Sequence, residues 1–326
     1  MLELKNVSAR YNMLDSYVNA VDNVNFKIEP NEIFGIAGES GCGKSTLLKV
    51  MYDLLAYPLE VHEGEVRLYK GDSDSEYLST GKIKEWWWKE ISYVPQGAMH
   101  VLNPVKRVET QFFDTISKQF HEKKSKNELR QIIGEYFKEL ELSPDILKSF
   151  PHQLSGGMRQ RVLIALATFL NPSIILADEP TTALDVVVQK DILTMLMAVQ
   201  KRMGNSIVIV SHDMGVHYQI TNKLGIMYAG QMIEHGPTEE IFNNPKHPYT
   251  QMLIGALPRV GDRSQKEGIP GTPPSLKNPP AGCRFAARCK HAVEDCRHIQ
   301  PETTQVGDSH FASCLLLYDY KGQKGD

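Results

Sequence analysis

Apolar and polar positions alternate from the start of the chain, in Leu2-Glu3-Leu4-Lys5-Asn6-Val7. A two-residue period places successive side chains on opposite faces and predicts a strand. Residues 1–70 keep this character between Gly and Pro punctuation, and a helix is predicted over 43–55. From about 97 to 160 the period lengthens. Leu129, Ile132, Ile133, Tyr136, Phe137 and Leu140 recur at three- and four-residue steps, which marks one apolar helix face. Short β-branched runs return at 173–177, 206–210 and 224–229. Helical stretches separate them, so the pattern predicts a parallel sheet with crossover helices. After about 245 the periodicity fades, and Pro270, Pro273, Pro274, Pro279 and Pro280 predict a stiff, extended connector. No segment repeats.

Composition narrows the class. The 326 residues are 41% hydrophobic and 23% charged, which suits one large domain with an appendage. A net charge of -3 supplies no general drive towards nucleic acid or an anionic bilayer. The longest strongly apolar stretch, 162–170, covers only about half a bilayer and reads as a buried helix. The N-terminus lacks the basic-then-apolar layout of a signal peptide, so a cytosolic chain is expected, reaching a membrane only through a partner. Trp86, Trp87 and Trp88 cannot share one face, and at least one is expected to pack on the core.

Two segments carry phosphate chemistry. Gly38-Glu39-Ser40-Gly41-Cys42-Gly43-Lys44-Ser45 follows the strand 33–37 and precedes a helix starting at Thr46. Its glycines let backbone N–H groups turn around phosphate oxygens, and the helix N-terminus adds partial positive charge. Lys44 is expected to reach the β- and γ-phosphates of ATP, and Ser45 to place its hydroxyl on Mg²⁺. Cys42 reads as a small residue within the loop. Downstream, the apolar run 174–177 ends in Asp178-Glu179. A strand ending in this way delivers carboxylates to the carboxyl edge of a parallel sheet, where ligands bind. Asp178 is expected to hold Mg²⁺, and Glu179 to act as general base on the attacking water.

Leu154-Ser155-Gly156-Gly157-Met158-Arg159-Gln160-Arg161 lies just ahead of that strand. It resembles the signature motif of ABC ATPases, in which the serine and glycine N–H groups bind the γ-phosphate held by the opposite subunit. The resemblance covers residues 1–240 and implies an α/β phosphate-loop fold. Its parts would be a RecA-like parallel core sheet, an antiparallel β-subdomain and a helical subdomain over about 97–160. It also implies roles for further residues. Tyr11 corresponds to the aromatic that stacks on adenine, with Tyr17 as a rival. Gln96 matches the glutamine that contacts Mg²⁺ and water, although Pro95 stands where many members have an aromatic. Ala183-Leu184-Asp185 matches the loop crossing the dimer interface, and His212, in Ser211-His212-Asp213, matches the switch histidine. One nucleotide cannot be clasped by both the phosphate loop and the signature loop of a single subunit. Two subunits are therefore expected to pair head to tail around two ATP molecules, with the segment 97–105 carrying movement to transmembrane subunits.

Residues 241–326 form a separate extension. His247-Pro248-Tyr249-Thr250, the segment 253–258 and Gly282-Cys283-Arg284-Phe285 resemble the C-terminal extension of oligopeptide and dipeptide ABC importer ATPases. Some relatives with this layout import oligosaccharides. The resemblance implies two permease subunits, a second ATPase (a related chain being favoured over a second copy), an extracytoplasmic binding protein acting indirectly, and a peripheral place on the cytoplasmic face of the membrane. Cys283, Cys289, Cys296 and Cys314 supply four thiolates, enough for the [4Fe–4S] cluster associated with this extension or for zinc. Unmetallated cysteines are the third possibility. A soluble ABC protein acting on nucleic acid or ribosomes would show two cassettes, long heptads or a basic surface, and this chain has none of these. A poorly hydrolysing regulatory partner is disfavoured by the presence of both Glu179 and His212.

Overall fold

The computed structural model describes residues 1–70, 76–97, 101–120, 125–257 and 268–317, the side chains of 117–120 excepted. Residues 98–100 of the expected transmission segment, Pro258 and residues 318–326 lie outside these.

Two sheets organise the chain. Strands β1 (Leu2–Met13), β2 (Ser16–Ile28), β4 (Leu59–Tyr69) and β5 (Tyr77–Ser79) form an antiparallel sheet in the order β2-β1-β4-β5. The second sheet is built on β3 (Ile33–Ala37), β6 (Ile91–Val94), β7 (Ile174–Asp178), β8 (Ser206–Val210) and β9 (Lys223–Tyr228), all parallel. It continues through β10 (Gln231–Pro237), β12 (His310–Ala312) and β11 (Thr304–Gly307), which add antiparallel. The full order is β11-β12-β10-β9-β3-β8-β7-β6.

Strands β3, β7 and β8 are buried at every residue, because helices or the other sheet cover both faces. Their side chains divide by the two-residue period. Ile175, Ala177, Ile207 and Ile209 join one core with Phe112, Phe137 and Ile164. Ile174, Leu176, Val208 and Val210 join another with the antiparallel sheet and Leu47 and Leu48.

The helices are α1 (Lys44–Met51), α2 (Val108–Phe120), α3 (Lys126–Glu139), α4 (Gly156–Thr168), α5 (Val186–Met203), α6 (Met214–Ile220), α7 (Thr238–Asn243) and α8 (Pro248–Gly255). Several have clear start signals. A capping box joins Ser125 and Glu128 at α3, and Asp185 and Asp213 cap α5 and α6. The helix predicted over 43–55 is shorter than expected, because Asp53 takes a left-handed φ of 58° just past its end. On α3 the face is buried at Leu129, Ile133 and Phe137, whereas Ile132 remains 38% exposed at its rim. Trp86 and Trp87 pack on the antiparallel-sheet core and Trp88 on the helical one. Trp87 also stacks on Tyr52, with centroids 4.6 Å apart.

Strands β11 and β12 lie in the segment without periodicity and were not expected. Glu234 on β10 is 1% exposed, and its carboxylate organises this edge. It accepts from the Lys246 and His247 N–H groups at 2.7 and 2.9 Å, and His310 Nε2 on β12 lies 2.8 Å away. A third core follows, where Tyr228 and Ala37 of the sheet meet Tyr249 and Phe285 of the extension. The extension thus shares both sheet and core with the rest of the chain.

Phe285→Ala, which empties the centre of this third core, should cost about 3–5 kcal/mol of stability in urea unfolding. A loss under about 1 kcal/mol would mean that the extension is not packed on the sheet. Burial also depresses His217 and His247 from 6.5 to about 4. The unfolded chain then binds protons that the folded one refuses. The stabilising contribution is complete above about pH 6.5 and is lost as pH falls towards 4, with a slope of up to about 1.4 kcal/mol per pH unit for each histidine. Urea melts between these values should show the decline, and a flat profile would mean that both imidazoles are solvated.

Candidate nucleotide site

The phosphate loop leaves the carboxyl end of β3 and turns into α1. Gly38 and Gly43 have φ of 149° and 109°, and a Cβ on either would come within 2.1 Å of a backbone oxygen, of Met227 and Ala20 respectively. No other residue type fits these positions without moving the backbone. Lys44 folds back on its own loop, its Nζ donating to the Gly38 and Glu39 carbonyls at 2.8 and 2.9 Å. Its charge is thereby held within the loop, where phosphate oxygens would replace the carbonyls.

A cleft of about 690 Å³ opens over the loop, lined by Ser40, Gly41, Gly43, Lys44, Ser45 and Thr46. Tyr11, Val18 and Ala20 wall one end, and Gln96, Glu179 and His212 the other. Tyr11 sits against α1, its hydroxyl 3.1 Å from Thr46 Oγ1. Tyr17 is 49% exposed, carries the Arg10 guanidinium 3.8 Å over its ring, and does not line the cleft. Gly38, Glu39 and Cys42 lie behind the lining; Cys42 is buried, and burial raises its thiol pKa.

The carboxylates arrive as the parallel register requires. Asp178, at the end of β7, is level with Val210 of β8. It is 3% exposed, accepts from Ser45 Oγ and the Tyr93 hydroxyl at 2.9 Å each, and burial raises its pKa. A desolvated carboxylate beside a serine hydroxyl that lines the cleft is a hard-oxygen donor pair that suits Mg²⁺. Glu179 takes a left-handed φ of 45°. Gln96 Nε2 donates to its Oε2 at 3.0 Å, Thr182 Oγ1 donates to the same oxygen at 2.7 Å, and His212 Nδ1 lies 3.3 Å from Oε1. Tyr93 and Thr182 carry no motif, which is why sequence reading passed over them.

The signature residues stand elsewhere. Ser155 caps α4, accepting from Met158 N at 3.3 Å, and Asp185 caps α5, accepting from Val188 N at 3.0 Å. A Cβ on Gly157 would come within 2.6 Å of Val188, so these two helix starts pack closely. None of Ser155, Gly156, Gly157 or Asp185 lines the cleft of the same chain. Beside them Val186 and Val187 are 81% and 72% exposed.

The four extension cysteines are not assembled into a metal site among the described residues. All are free thiols, and Cys283 lies within the electrostatic reach of the other three. Yet among the described residues no group of three or more His, Cys, Asp or Glu is arranged to hold a metal ion. On that geometry the expected iron–sulfur or zinc centre is not supported among the described residues. Burial pushes the Cys283 thiol up to about 11 and raises those of Cys289 and Cys314. No helix among the described residues is long and apolar enough to cross a membrane.

Comparison with known proteins agrees with this geometry. Residues 21–182 match the ABC transporter family, and residues 233–296 match the oligopeptide/dipeptide transporter C-terminal region. The chain is 38% identical to the dipeptide transport ATP-binding protein DppD of Caldanaerobacter subterraneus, over 97% of each chain. It is 37% identical to the oligopeptide transport ATP-binding protein OppD of Bacillus subtilis, over 98% of this chain and 89% of that one. The dimeric structure of MJ0796, a bacterial ABC transporter cassette, superposes with a TM-score of 0.62 at 32% identity, covering 73% of this chain and 99% of that one. With a phosphate loop, a carboxylate strand and a glutamine–glutamate–histidine group around one cleft, and relatives matched over nearly their whole length, this chain belongs to the ABC-type ATPases, among the dipeptide and oligopeptide transport ATP-binding proteins.

Proposed function

We propose that this chain hydrolyses ATP on the cytoplasmic face of a membrane to drive peptide import, paired head to tail with a second ATPase subunit and docked on two permease subunits. The observation that carries this reading is the division of the motifs. The cleft gathers the phosphate loop, Gln96, Glu179 and His212, with Asp178 bonded to Ser45 behind its lining, whereas Ser155 and Gly157 lie outside it beside two exposed valines. A signature loop without a phosphate of its own finds one on a partner, and the exposed apolar pair suits burial in that interface. The MJ0796 relative is described as dimeric, which supports the pairing. A related chain is favoured as the second ATPase. Peptide cargo follows from the transport relatives, and an extracytoplasmic binding protein would select it before it reaches the permease.

Within the cleft each residue has a distinct task. Lys44 and the loop N–H groups bind the β- and γ-phosphates. The Ser45 hydroxyl, Asp178 and Gln96 would hold Mg²⁺, which supplies charge neutralisation on the phosphates when bound. Glu179 accepts the proton of the attacking water. Gln96, Thr182 and His212 orient Glu179, and His212, whose side chain is 65% exposed, is placed to meet the γ-phosphate. Tyr11 offers its ring to adenine. Loss of the γ-phosphate removes contacts to both subunits and loosens the dimer.

Glu179→Gln keeps the size and hydrogen bonding of the side chain but cannot take a proton. Phosphate release should fall by about 10²–10⁴-fold, while ATP still binds and drives the chain, with its partner ATPase, into a stable dimer seen by light scattering. Turnover at the wild-type rate would place the base elsewhere. Ser155→Arg should leave nucleotide binding to the isolated chain intact and abolish that dimer; a dimer that persists would remove the signature loop from the interface.

A further inference from the structure

The phosphate loop of this chain is held from outside by the C-terminal extension. Glu39 is fixed at each of its polar groups. Its N–H donates to the Tyr249 hydroxyl at 3.0 Å, and its carbonyl accepts from Lys44 at 2.9 Å. Its carboxylate receives Arg288 in a two-pronged bridge, with both N–O distances 2.8 Å. Tyr249 is fully buried, and the Arg288 side chain is only 6% exposed. The rest of the guanidinium is also committed, to the Pro270 and Ile269 carbonyls and the Tyr228 hydroxyl. A carboxylate next to an anion-binding loop repels phosphate unless a cation neutralises it, and Arg288 is that cation.

A second contact reaches the other end of the cleft. Leu276, in the proline-rich connector, lines the cleft near Tyr11, Val18 and Ala20. The Asn19 N–H pins it there by donating to its carbonyl at 2.9 Å. Its side chain also packs on the third core.

We propose that the extension is a working part of the nucleotide site, in which Arg288 is a positioning residue for the phosphate loop through Glu39 and Leu276 is an apolar contact for the base and ribose of ATP. The inference rests on the reading of this cleft as the ATP site. Its two halves act on different parts of the ligand. The bridge sets the loop that meets phosphate, and Leu276 touches only the end that tripolyphosphate lacks.

The test is competition of unlabelled ATP and of tripolyphosphate against a fluorescent ATP analogue on the full chain. Leu276→Ala leaves the connector backbone in place and should weaken ATP by about three- to ten-fold, with tripolyphosphate unchanged. Glu39→Gln, which nearly preserves shape, and Arg288→Ala should each weaken both ligands by about ten-fold, and the double variant no further. Arg288→Ala carries the risk of loosening the extension, so Glu39→Gln is the deciding variant. Unchanged affinity in Glu39→Gln, or additive losses in the double variant, would overturn the positioning role. An equal loss of ATP and tripolyphosphate in Leu276→Ala, or no loss of either, would overturn the base contact. Wild-type protein that binds neither ligand would instead sink the ATP reading itself.

Discussion

The register of three buried parallel strands is the constraint on which the site depends. β3, β8 and β7 run side by side, with Ile36 level with Val210 and Val210 level with Asp178. Their carboxyl ends therefore stop at one height, and the three loops that follow supply the phosphate loop, Ser211-His212 and Asp178-Glu179. A slip of one residue would turn Ile175 and Ala177 towards the core occupied by Ile174 and Leu176, exchanging every side chain between two filled cores. Close packing on both faces thus fixes the register, and the register fixes the distances between groups far apart in sequence.

The same burial sets the electrostatics. Asp178 is removed from water by the strands around it, which raises its pKa and leaves Ser45 and Tyr93 as its hydrogen-bond donors. Neutral donors compensate a buried carboxylate only in part, so the site gains when a divalent cation enters. Lys44 is in the opposite position. Its ammonium is held by two loop carbonyls, so its charge already lies inside the loop that would meet phosphate oxygens.

Much of this is legible in the sequence, for a physical reason. Continuous apolar runs mark strands covered on both faces, and their ends mark the edge where ligands bind, so Lys44, Ser45, Asp178, Glu179 and His212 can be placed before any coordinates. Groups recruited through space carry no such mark. Tyr93 and Thr182 are ordinary residues of a strand and a turn, and Leu276 reaches the cleft, and Arg288 reaches Glu39 behind it, from an extension whose prolines signal stiffness but no destination. Tyr11 and Tyr17 lie on one hairpin strand pair, and only the twist and register of β1 on β2 put the first over α1. The four cysteines are a different case: folding brings them within electrostatic reach of one another, yet among the described residues no group of three or more His, Cys, Asp or Glu is arranged to hold a metal ion, so their number and spacing do not establish a centre.

The extension also shows how weak segments become ordered. β11 and β12 have four and three residues, too few to stand alone. They persist because β10 offers an edge, Glu234 ties His310 to it, and Phe285 fills a core whose other wall is Tyr228 and Tyr249. Tyr249 is itself the acceptor for the Glu39 N–H, so the core that orders the extension is continuous with the phosphate loop. Free-energy coupling between two such elements acts in both directions. Whatever the extension contributes to the geometry of the loop, an occupied loop must return to the stability of the extension.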